Sequence, residues 1–118
     1  MILDLIAEFS SIISDYQIIK YRNFNVSYEL VLELEFIDGS KLFARDYLFA
    51  DGKRKYSFHW QHTEGYCIYR WDNVPHHQNT GTFPFHRHVG KFESVEDSEV
   101  MSFKKVLHFI SDFLSQQV

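Results

Sequence analysis

The stretch YELVLELEF, Tyr28 to Phe36, constrains this chain more than any other. Leu30, Leu32, Leu34 and Phe36 fall on one side of an extended backbone, and Glu29, Glu33 and Glu35 fall on the other. Side chains of a strand alternate between faces, so the run predicts a strand with one buried and one solvated face. Its neighbours continue the theme. YQIIKYRNF reads as a strand before it, KLFARDYLF follows the turn signal Asp38-Gly39, and KRKYSFHWQH follows Asp51-Gly52. Gly65 then turns the chain into YCIYRWDN.

The ends carry a different period. Ile2, Leu5, Ile6, Phe9, Ile12 and Ile13 recur at spacings of three and four, which predicts an amphipathic helix over 2–13. Phe103, Val106, Leu107, Ile110, Phe113 and Leu114 form a second stripe behind Ser102, a candidate N-cap. The expected fold is therefore α+β: an antiparallel four- to five-stranded meander sheet with N- and C-terminal helices packed on one face. No repeat, linker or low-complexity tract interrupts the 118 residues, so one domain over 1–118 is expected, burying roughly two-thirds of its unfolded surface. Twelve Phe, seven Tyr and two Trp supply an aromatic core without disulfides. The single Cys67 forbids an internal bridge and offers no thiolate cluster for zinc. Asp4 and Glu8 break the apolar N-terminus, which argues against a signal peptide. No run of about 20 apolar residues is present to form a spanning helix. A cytoplasmic protein with no membrane partner is the expectation.

The net charge of −4 is unevenly spread. Residues 1–40 carry two Lys/Arg against seven Asp/Glu, 41–91 carry eight against four, and 92–118 carry two against five. Six of the seven histidines lie in the basic middle, a weak pointer to an anionic ligand there. A two-residue turn at Glu64-Gly65 pairs His59 with Arg70, and opposed residues share a face. Phe58, Trp60, Cys67, Tyr69 and Trp71 then form a core face, while Ser57, His59, Gln61, Arg70 and Asp72 form a face able to bind a phosphate or a metal. A three-residue turn would shift the pairing by one and mix the two sets.

The stretch RWDNVPHHQNTGTFPFHRH, Arg70 to His88, holds four histidines and both prolines, Pro75 and Pro84. In an extended segment His86 and His88 point to one side and Arg87 to the other. The convergent set is then one of His76 and His77, with His86, His88, His59 and Asp72. Two chemistries use such a set. Metal-free RNA cleavage needs a base, an acid and a cation, with histidine suited to both proton roles and Arg70, Arg87 or Lys91 able to face the phosphate. A divalent-metal hydrolase or nuclease would use Asp72, His77, His86 and His88 as ligands. Histidines that only hydrogen-bond a loop closed are the plainer alternative.

YSFHWQH, YRWDNVPHH and FPFHRHVG together resemble the TumE family of small toxin–antitoxin toxins, over about residues 53–91. The matching positions are Tyr56, His59, Trp60, Gln61, Arg70, Asp72, Asn73, Pro75, His76, His77, Pro84, His86 and His88. Phe85 departs from the pattern where polar or histidine residues occur, which removes one extra ligand. The resemblance implies a TumE-like toxin domain over 1–118, neutralised by a cognate antitoxin protein through direct contact. By analogy with other small toxins the expected activity is a ribonuclease with catalytic residues among His59, Arg70, Asp72, His76, His77, His86 and His88. Tyr56, Gln61, Arg87 and Lys91 are expected to bind substrate. RNA and a second copy of the chain are further candidate partners, and a non-enzymatic protein-binding domain is the remaining alternative. No cofactor is required by the ribonuclease reading.

Overall fold

The computed structural model describes residues 2–74 and 84–116. The elements are α1 (Ile2–Glu8), β1 (Ile13–Phe24), β2 (Ser27–Phe36), β3 (Lys41–Leu48), β4 (Arg54–Gln61), β5 (Cys67–Asp72), β6 (His86–Val89), β7 (Ser94–Asp97) and α2 (Phe103–Ser115). Every strand pairs antiparallel with its neighbours in sequence, giving one sheet ordered β1 to β7. The α+β meander is thus as expected, but the described residues hold seven strands rather than four or five. The two extra strands lack an apolar alternation. β6 turns Arg87 and Val89 toward the helices and buries His86 and His88 on the opposite face, and all four residues of β7 are exposed.

One face of the sheet carries the core. Leu30, Leu32, Leu34 and Phe36 meet Leu42, Ala44, Tyr56, Phe58, Trp60 and Trp71, and both helices cover them. Ile2 and Ile6 come from α1, and Phe103, Val106, Leu107 and Ile110 come from α2. The first helix stops at Glu8, short of the expected 13. Turn hydrogen bonds from the Ile12 and Ile13 amides to the Phe9 carbonyl replace the helical ladder there. Phe9 and Ile12 remain buried beyond the helix, so the apolar spacing outlasts the helical backbone. Ser102 caps α2 by accepting from the Lys105 amide at 3.1 Å. The approach to α2 is held from both sides by β4: Met101 N–H donates to the Tyr56 hydroxyl at 3.2 Å, and Arg54 Nη1 donates to the Met101 carbonyl at 2.6 Å. Burial works against the Arg54 charge, yet the Asp46 carboxylate, in a two-point pair at 2.9 Å, holds its pKa above the ordinary value.

The turns correct the expected hairpin. Tight loops begin at Phe36, Phe49 and His62 and end in Gly39, Gly52 and Gly65, each with φ between 86° and 93°. In each, the glycine amide returns to the first residue's carbonyl, while the first amide donates one residue past the glycine. This is a three-residue loop built on a type I turn and a left-handed glycine, not a two-residue turn. His62 therefore opposes Tyr66 and Gln61 opposes Cys67. The pairing then shifts, because Trp60 opposes Tyr69 and Ile68 is an extra residue in β5. From Tyr69 onward the expected register returns, with His59 opposite Arg70. Cys67 alone changes set: it is buried opposite Gln61, outside the aromatic core.

Leu107 is fully buried under α2. Leu107→Asp places an unpaired carboxylate among aromatic rings, and roughly 3 kcal/mol or more of stability should be lost. Circular dichroism and urea denaturation should find the variant unfolded or nearly so. A folded variant with the wild-type midpoint would contradict this layering.

Candidate functional site

The face opposite the helices is polar, and strand register aligns it in rows. One row runs Phe43, His59, Arg70, His88 and Val95 across β3 to β7. The next runs Arg45, Ser57, Asp72, His86 and Asp97. Alternation alone brings residues from five strands together, because Arg70 and Asp72 are two apart in β5, as are His86 and His88 in β6.

Asp72 is the hub. It is 7% exposed, and His86 and His88 are 1% and 6% exposed. One carboxylate oxygen lies 2.8 Å from His86 Nε2 and accepts from the Val74 amide at 3.2 Å. The other lies 3.8 Å from both His88 Nε2 and Arg70 Nε. His86 Nδ1 faces the Pro84 carbonyl at 3.1 Å. Both ring nitrogens of His86 thus face oxygen atoms, which fixes the ring between the Asp72 carboxylate and the Pro84 carbonyl. Arg70 Nη2 lies 3.2 Å from His88 Nε2, and a guanidinium can only donate, so Nε2 presents a lone pair and the proton sits on Nδ1. Arg70 also reaches Glu93 at 3.2 Å, across the turn between β6 and β7.

His59 stands on the other side of Arg70. It is half-buried beside the Phe43 ring, and its Nε2 makes no hydrogen bond among the described residues. Burial first, and then the Arg70 charge, push its pKa below the ordinary imidazole value, with Glu93 opposing. Beyond it a groove of about 330 Å³ opens over β3 and β4, lined by Phe43, Arg45, Tyr47, Lys55, Ser57 and His59.

The remaining expected residues divide. Gln61 lies on the same face as His59, nearer the hairpin tip. Tyr56 is 1% exposed and belongs to the core, so its phenol is not available to a substrate. Arg87 points to the helix side, as an alternating β6 requires: it pairs with Glu96 and lies over the rings of Tyr69 and Phe109 at 5.2 and 6.0 Å. Lys91 is exposed, 5.6 Å from the Tyr66 ring centroid. His76 and His77 lie outside the described residues. Cys67 is buried, and burial raises its thiol pKa, which disfavours the thiolate. Glu93 was not anticipated, and no local signal marks it. The Phe43, Arg45 and Tyr47 series is every second residue of KLFARDYLF, a face that carries no histidine to mark it as a site.

Asp72, His86 and His88 form the one group of potential metal ligands among the described residues, with ligand atoms within 4.8 Å of one another. The donor set suits a divalent ion, but its surroundings suit a guanidinium better. The lone pair of His88 Nε2 already faces Arg70, while the 2.8 Å spacing of His86 Nε2 and Asp72 serves a hydrogen bond and two ligands of one ion equally. A dication here would also sit beside a fixed positive charge. Removal of the hub should be costly whichever cation it serves. Asp72→Ala leaves His86 and Arg70 facing a void, and about 3 kcal/mol should be lost. Chemical denaturation monitored by tryptophan fluorescence reads this directly.

No curated protein and no solved structure matches the chain. No helix among the described residues is long and apolar enough to cross a membrane. The family model described as Toxin TumE matches residues 2–117, nearly the whole sequence. The chain belongs to the TumE toxin family, whose members are toxins of toxin–antitoxin systems and imply a cognate antitoxin as partner.

Proposed function

We propose that this toxin is a metal-independent ribonuclease whose reaction centre is the row His59, Arg70, His88. The observation that carries the reading is a cation flanked by two imidazoles in one cross-strand row. Adjacent strands lie about 4.8 Å apart, so the two histidine backbones stand roughly 10 Å apart with Arg70 between them. In-line displacement at phosphorus needs a base and an acid on opposite sides of a bound phosphate.

Arg70 holds the phosphodiester. His59, whose buried Nε2 makes no hydrogen bond among the described residues and whose pKa is lowered, is the base that takes the proton of the RNA 2′-hydroxyl once the bound strand reaches it. The 2′-oxygen–phosphorus bond forms and the 5′-oxygen–phosphorus bond breaks, leaving a 2′,3′-cyclic phosphate and a 5′-hydroxyl. The leaving 5′-oxygen takes its proton from His88. When a phosphate draws Arg70 away from His88 Nε2, that nitrogen can take up a proton beside Asp72, which lies 3.8 Å away. Asp72 and His86 are positioning residues, since His86 is sealed from solvent. Arg87, turned to the other face, has no part. A cytoplasmic location follows from an RNA substrate and an antitoxin partner.

Single-stranded RNA incubated with the purified chain in EDTA tests the reading. Cyclic phosphate ends should appear, and His59→Ala should lower the rate by about 10²- to 10⁴-fold. Cleavage abolished by the chelator would establish the metal alternative, and toxicity in cells without any cleavage would establish a protein-binding toxin. The pH profile has a defined sign. A base must be unprotonated, so activity rises with pH through the His59 pKa. That pKa is lowered, so the acid limb should fall below the ordinary histidine value of about 6.5. A limb at or above that value would remove His59 from the base role.

A further inference from the structure

We infer that the groove over β3 and β4 is a binding track for single-stranded nucleic acid, which delivers one strand to the His59–Arg70–His88 row. This rests on the ribonuclease reading for its direction, though not for its chemistry. Phe43, Arg45 and Tyr47 are alternate residues of β3 and therefore project from the same face, an aromatic ring on each side of a cation. Lys55 stands opposite Tyr47, and Ser57 stands opposite Arg45. Arg45 and Lys55 are exposed, and among the described residues neither is paired with a carboxylate. Phe43 stands opposite His59, so the track joins the reaction centre without a gap.

Rings spaced along a groove, with cations between them, are the means by which proteins hold single strands. Bases stack on the rings while the backbone follows the positive charge. Phe43 and Tyr47, four residues apart, are separated by roughly 13 Å along the strand, which leaves room for a phosphate at Arg45 between two stacked bases. A volume of about 330 Å³ is near the lower limit of small-ligand sites. It admits a base with its sugar, whereas a duplex keeps its bases stacked on one another and offers nothing to the rings. Glu33 and Glu29 of β2 stand opposite Phe43 and Tyr47, so the positive charge that a polyanion would follow is confined to Arg45 and Lys55 on the β3–β4 side.

A fluorescent single-stranded oligodeoxynucleotide is the suitable probe, because it has a phosphate backbone and bases but no 2′-hydroxyl to be cleaved. Anisotropy titrations across a range of salt should show binding by the wild type that weakens as salt rises. Arg45→Ala/Lys55→Ala should reduce the slope of log K against log salt by about 1.4, the loss of two single-strand phosphate contacts. Phe43→Ala and Tyr47→Ala should each weaken binding by about tenfold while leaving that slope in place. Circular dichroism of each variant should match the wild type, which confines the effect to the groove. Unlabelled duplex should compete poorly. If the single strand binds as described but RNA is not cut, the track stands and the ribonuclease reading falls. If RNA is cut while the groove variants bind and cleave as the wild type does, the track is overturned and the ribonuclease reading stands. Equal competition by duplex, or binding that ignores salt, also overturns it.

Discussion

The buried carboxylate of Asp72 is the contact on which the far end of the sheet depends. Hydrophobic burial places β2 to β5, because each of those strands turns apolar residues toward the helices. It cannot place β6 in the same way. The residues that β6 turns toward Asp72 are His86 and His88, and what they meet is a carboxylate and a guanidinium. Such polar groups are costly to bury alone and become acceptable only in one arrangement, so they specify a register more sharply than they add stability. A slip of β6 by one residue would turn both imidazoles onto the helix side and place Arg87 beside Arg70. Coulomb repulsion and the lost Asp72 contact oppose that slip together.

The sheet thus separates two tasks by parity. Trp60, Tyr69 and Trp71 stack in sequence on the helix side, with Phe109 and Phe113 of α2 meeting them edge-on. The intervening residues of the same strands build the polar face. Rigid support follows from this arrangement, since each polar side chain grows from a backbone whose neighbours are locked in an aromatic core. Asn73 extends the same order past the end of β5. Its side-chain amide accepts from the Tyr56 amide at 2.9 Å and donates to the Arg54 carbonyl at 2.6 Å, continuing the ladder where the strand has ended.

Much of this was legible in the sequence because it is written in alternation. The two faces of β2, the stripe of α2 and the shared side of His59 and Arg70 all follow from periods of two or 3.6. The facing of His86 and His88 with Arg87 opposed follows in the same way. What was not legible depends on contacts between distant segments. β7 has no pattern of its own, and Glu93 reaches Arg70 only because the turn after β6 returns the chain. The end of α1 was hidden by Phe9 and Ile12, which stay in the core after the helix has stopped. Tyr56 looked like a site residue because it stands within a site motif, but its phase along β4 gives it to the core.

The extra residue at Ile68 has a consequence for how such a chain can diverge. The core and the polar face occupy the same strand in antiphase, so a net change of one residue within this hairpin would exchange them, sending Arg70 and Asp72 to the side of Trp60 and turning Trp71 away from it. The three-residue loop and the bulge offset one another, and either change is tolerable only with the other. Length variation here must therefore arrive as matched pairs or stay at the tip beyond Gln61 and Cys67. Loss of one member of the pair alone would break the core and the polar face together, which fixes the hairpin's length more firmly than its composition.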